Sequence, residues 1–178
     1  MSSIGNAREL ARRLDTRLGT LAPVLESNGI ALFQQLRGYL LKQDRRIGTK
    51  HNIEQIVRYD AGPDGSFQIF LGPTIDKGND GSFFSFPSGA RLSFSIALRR
   101  EAHRRELLSY RFQFTFPDKH SPEFIRIDLL NKSHSDPLAE PLAHIHPGIH
   151  SARLPCAPLT PIEVLDRVFF VLDPNTRY

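Results

Sequence analysis

Alternation of apolar and polar residues at period two dominates the middle of this chain and restricts it to a sheet. Leu92, Phe94, Ile96 and Leu98 are separated by small or polar residues, as are Leu108, Tyr110, Phe112, Phe114 and Phe116. Successive side chains of a strand point to opposite faces, so each run buries one face and leaves the other polar. The same period predicts strands at 53–60, 67–72, 82–86, 90–98, 107–116, 123–130 and 141–146. Turn sequences lie between them: Asp60-Ala61-Gly62-Pro63-Asp64-Gly65, Gly78-Asn79-Asp80-Gly81 and Pro87-Ser88-Gly89. Turns of this kind join antiparallel neighbours, which predicts a meander.

Around this sheet the period changes to that of a helix. Leu10, Leu14 and Leu18 recur every fourth residue over 6–18, with Ser3 or Asn6 as caps. A second helix is predicted from about Pro23 to Asp44, with Leu32, Phe33, Leu36, Tyr39 and Leu40 as its apolar stripe. At the other end, Thr160 and Glu163 form a capping box with Pro161 in the first turn, predicting a helix over 161–172. The expected fold class is therefore α+β in one domain of 178 residues. Residues 1–50 form a basic helical hairpin packed on an antiparallel meander (51–146), and 160–172 form a C-terminal helix. With 13 Phe and no Trp, the core is expected to be built from phenyl rings.

Charge is unevenly placed. Residues 1–50 hold nine Lys or Arg against four acids, a net of +5, whereas the remainder holds 14 basic and 15 acidic residues, −1. The basic helices, through Arg8, Arg12, Arg13, Arg17, Lys42, Arg45 and Arg46, are candidates for contact with RNA or DNA phosphate; solvated helix faces explain the same charges. No apolar run spans a bilayer, so no membrane partner is expected. No secretory leader is visible, and a single cysteine, Cys156, excludes an internal disulfide. A cytoplasmic location is the expectation, and Cys156 has no indicated acid–base partner that would make it a nucleophile.

Strand parity gathers a polar constellation. If Ile125, Ile127 and Leu129 face the core, Arg126 and Asp128 face away from it; Ile145 likewise sends His144 and His146 to the other side. From 108–116 the same face receives Arg111. His134 and His150 lie in flanking loops, and five of the seven histidines fall between 120 and 150.

Three chemistries suit this group. Two histidines and a carboxylate can exchange protons in phosphodiester cleavage, with Arg126 or Arg111 holding the phosphate. Alternatively, His144 and His146, with Asp128 or His150, can ligate a divalent transition metal. Third, the group binds a phosphate or a protein partner without chemistry. Either no cofactor or a divalent metal is thus expected. Each feature also has a structural explanation: Asp128 beside Arg126 fits an ion pair, and His-x-His on a strand fits surface decoration.

From Tyr110 to about Leu172 the order is an aromatic-rich strand, Phe124-Ile125-Arg126-Ile127-Asp128, a loop with His134, His144-Ile145-His146-Pro147-Gly148, Arg153-Leu154-Pro155 and the Pro161-Ile162-Glu163-Val164-Leu165 helix. This order resembles the small prokaryotic toxins of the TumE kind, which are partnered by a helix-turn-helix antitoxin. The resemblance implies a toxin-like or defence-associated protein acting on RNA or another intracellular polymer, a cognate antitoxin, and a site at Arg126, Asp128, His134, His144 and His146. The helical first 50 residues and the hairpins over 53–98 depart from that pattern. The alternative is a non-catalytic nucleic-acid-binding or complex-assembly subunit using the basic helices.

Overall fold

Leu32, Phe33, Leu36 and Leu40 recur at helical spacing, and all four are buried along one stripe of helix α1 (Gly29–Lys42). The computed structural model describes residues 29–43, 53–71, 83–101, 104–117, 121–130 and 142–172. The first expected helix, 6–18, lies outside the described residues, and with it the hairpin it was to form with α1.

Eight antiparallel strands follow: β1 (Val57–Ala61), β2 (Ser66–Leu71), β3 (Phe84–Ser85), β4 (Arg91–Glu101), β5 (Arg104–Thr115), β6 (Phe124–Leu129), β7 (Ala143–Pro147) and β8 (Leu154–Pro155). The sheet order is β1-β2-β4-β5-β6-β7-β8, with β3 paired to β4. The meander is thus interrupted once. β4 pairs with β3 at Arg91 and Leu92 and with β2 over Ser95–Arg99, so one long strand carries two shorter partners. Expected boundaries also differ: β4 runs on to Glu101 and β5 starts at Arg104, both inside the stretch expected to connect them, and β8 was not expected. Residues 53–56 form a single helical turn, α2 (Ile53–Ile56), whose spacing lets Ile53 and Val57 both reach the core. The β4–β5 register shifts between Ala97 and Leu98, which face Ser109 and Leu107 respectively. That bulge inserts Leu108 and makes Leu107 the buried residue in its place.

The predicted parity otherwise sets the core. Leu92, Phe94 and Ile96 face Phe114, Phe112 and Tyr110 across the strand pair, and Ile127 and Leu129 continue these rows. Phe94 and Phe112 stack at 5.1 Å, and Phe86 joins Phe114 to Phe169. Helix α3 (Pro161–Arg167), continued by a π-helical turn (Val168–Leu172), brings Val164, Leu165, Val168 and Phe169 onto the same face. α1 packs there too: Phe33 meets Tyr59 edge-on, and the Tyr39 hydroxyl donates to Asp166 Oδ1 at 2.6 Å. The expected capping box is formed, with Glu163 N–H donating to Thr160 Oγ1 and Thr160 N–H to Glu163 Oε2. The Leu159 N–H donates to the Tyr110 hydroxyl, fixing where α3 begins against β5. Both helices therefore lie on one side of the sheet, leaving the Arg126/Asp128 face to the other.

Candidate functional site

On that second face the register aligns two polar rows. Arg111, Asp128 and His144 are successive cross-strand partners on β5, β6 and β7; Gln113, Arg126 and His146 form the adjacent row. Side chains directly opposite one another across a pair stand about 4.5–5.5 Å apart at Cβ, so the register alone brings these groups into mutual reach.

Arg126 is the hub. Its Nε donates to Asp128 Oδ2 at 2.9 Å, Nη2 to His146 Nε2 at 2.7 Å, and Nη1 to His150 Nδ1 at 3.1 Å. Because a guanidinium can only donate, both ring nitrogens must present lone pairs to it. His146 is thereby neutral with its proton on Nδ1, a buried atom. Around the same carboxylate oxygen stand His146 Nε2 at 3.3 Å and His144 Nε2 at 3.6 Å, and the two imidazoles meet edge to face at 4.9 Å. Arg111 approaches the other oxygen, Asp128 Oδ1, at 3.6 Å from the solvent side.

Burial is the unexpected property. Asp128, His144 and His146 are 2%, 1% and 0% exposed, although they project from the face opposite the main core. Side-chain exposure rises outward, to 13% for Arg126 and 61% for Arg111. Phe124 is a further buried side chain on this face. It has the parity of Arg126 and Asp128, is buried, and stacks on the His150 ring at 4.6 Å. Gly148, at φ +77°, turns the chain back so that His150 reaches this position. A Cβ on Gly148 would lie 2.6 Å from Pro122 Cβ, so the turn also needs glycine for space.

Titration follows from this environment. Burial alone would raise the Asp128 carboxyl, but the His144 contact and the Arg126 and Arg111 charges outweigh it and hold the group below the ordinary range. For His146, burial and then the Arg126 charge push the imidazole below its usual value, against the pull of Asp128. Cys156, half-buried beyond β8, has its thiol raised by burial, which keeps it protonated and poorly nucleophilic.

Five expected residues, Arg111, Arg126, Asp128, His144 and His146, are thus brought together, and His150 joins them through Arg126. The donor atoms that converge are those of Asp128, His144 and His146, all within 4.8 Å of one another. His134 lies outside the described residues, as do Arg8, Arg12, Arg13, Arg17, Arg45 and Arg46. Lys42 is exposed in the last turn of α1. That helix packs on the core face, so Lys42 is on the far side of the sheet from the corner. Sequence reasoning missed Phe124, although its parity with two charged residues was a signal that this face is not wholly polar. Among the described residues no helix is long and apolar enough to cross a membrane. Comparison with family models, with curated proteins and with solved structures returns no match.

Proposed function

We propose that this chain is a ribonuclease-like, phosphodiester-processing protein of a toxin–antitoxin or defence system, working at the β5–β6–β7 corner. One observation carries the reading: Arg126 binds a carboxylate and two imidazoles at once, beside the exposed Arg111. The two guanidinium groups outnumber the single Asp128 charge, which favours an anion at this edge. Three of the five Arg126 N–H groups are used within the corner, leaving two for a phosphate oxygen. His150 is the imidazole at the surface, where a bound phosphodiester meets it first. Asp128 and His146 fix the guanidinium from beneath, which is the preorganisation that charge stabilisation in a transition state requires. The resemblance of 110–172 to the TumE-like toxins supports the setting, with RNA as substrate and a cognate antitoxin as partner.

Cleavage of labelled RNA by the purified full-length protein tests this, with and without EDTA. Arg111→Ala leaves the buried network intact and is expected to lower kcat/KM by about tenfold or more, since removing a single charge-stabilising donor costs up to about 10²–10³. The His144→Ala/His146→Ala double variant should abolish cleavage. Undiminished cleavage in both variants would sink the assignment. RNA binding without cleavage, with affinity falling steeply as salt rises, would instead identify a binding subunit.

A further inference from the structure

We propose that Asp128, His144 and His146 form a binding site for a divalent transition metal of the zinc type, and that Arg126 is the built-in cation that competes for it. The inference does not rest on phosphodiester chemistry, because it concerns what the buried donor atoms can hold.

Geometry carries it. Zinc bonded to nitrogen and oxygen at about 2.0–2.1 Å in a tetrahedron keeps its donor atoms about 3.3–3.4 Å apart. Asp128 Oδ2 lies 3.3 Å from His146 Nε2 and 3.6 Å from His144 Nε2. The three donor atoms all lie within 4.8 Å of one another, so the two imidazoles must draw together to share one ion. The set comes from facing strands rather than from a loop, so its spacing is imposed by the β6–β7 register, in which Asp128 and His144 are direct partners. Three protein donors leave a fourth tetrahedral position, as in zinc sites where that position takes water or substrate. His150 is outside the set, because the donor atoms that converge are those of Asp128, His144 and His146.

Arg126 shows that these lone pairs already attract a cation. Two of its N–H groups occupy Asp128 Oδ2 and His146 Nε2, two of the three donors that a metal would use. A metal must therefore displace the guanidinium from both atoms. Charge acts in the same direction: with Arg111 and Arg126 against one carboxylate the corner is cationic, which weakens a dication. Removing Arg126 removes the competitor and one positive charge together. Metal affinity should then rise, an outcome opposite to that expected of a residue holding together a purely structural network.

Cobalt(II) titration of the tag-free full-length protein reads this directly, since tetrahedral cobalt gives visible ligand-field bands. Zinc competition confirms the site. The wild type should bind one ion per chain with such a spectrum, and His150→Ala should leave it unchanged. Arg126→Gln should bind about tenfold more tightly or better, because the competing guanidinium and its charge are removed together. Asp128→Asn should bind at least about tenfold more weakly. If Arg126→Gln is unfolded in EDTA, zinc should refold it, because a ligand that binds only the native state stabilises it. No tetrahedral spectrum in either the wild type or Arg126→Gln, unaltered affinity on losing Arg126, or full affinity without the Asp128 carboxylate would each overturn the assignment. An Arg126→Gln protein unfolded even with zinc would shift the decision to the wild-type spectrum and the Asp128→Asn comparison.

Discussion

Arg126 takes its importance from donor arithmetic. A guanidinium has donors and no acceptor, and here three of its donors are spent on one carboxylate oxygen and two imidazole nitrogens. A buried carboxylate without such partners would cost several kcal/mol, so Asp128 and Arg126 act as a unit. Gly148 holds the outer part of that unit in place. Its φ of +77° lies in the left-handed region, and the Pro122 ring closes off the space a side chain would need. Gly148→Ala should therefore lower stability by more than about 1 kcal/mol and move His150 away from Phe124 and Arg126. Denaturant unfolding with the His150 ring resonances checks this; unchanged shifts and stability would refute it.

Helix α3 depends on its first turn, since a helix of seven residues has little stability of its own. Thr160 and Glu163 satisfy backbone donors there reciprocally. Thr160→Ala should cost about 1 kcal/mol at neutral pH. The loss should depend on pH with a definite sign. Hydrogen bonds from Thr160 lower the Glu163 carboxyl below its ordinary 4.5. A depressed folded-state value means that this contribution is complete above 4.5 and disappears as pH falls through the lower native value. The gap between wild type and Thr160→Ala should thus narrow on acidification below 4.5. Thermal or denaturant unfolding across that range measures it, and a gap independent of pH would remove Glu163 from the explanation. The π-helical turn that follows keeps Val168 and Phe169 buried.

Across the molecule, one face of the sheet carries a phenyl-rich core under two helices, and the other carries the polar corner. Phe112 sits between them on β5, buried between Phe94 and Tyr110, while its neighbour Arg111 faces the corner. Phe112→Ala should destabilise the protein by about 3–5 kcal/mol, as large-to-small changes in cores do. Because β5 supplies both faces, the same change should loosen the Arg111–Asp128 pairing. Equilibrium unfolding reads the first effect, and the amide-exchange protection of β6 reads the second. A loss below about 1 kcal/mol would mean that the core closes over the gap.

Most strands, the capped helix and the five-residue polar set could be read from periodicity, because side-chain parity is a local property of an extended chain. Asp128 and Arg126 share a face for that reason alone, as do His144 and His146. The Leu107 for Leu108 exchange was not legible, since a bulge is decided by what the partner strand presents. Nor was the pairing of β2 with β4 past β3, which depends on two short strands sharing one long edge. Alternation separated the histidines from the core; only the folded chain buried them again. It also stacked Phe124 on His150 beside the corner and placed Arg126 among three acceptors. Parity assigns a side chain to a face, but exposure and hydrogen-bond partners depend on residues brought close from elsewhere in the chain.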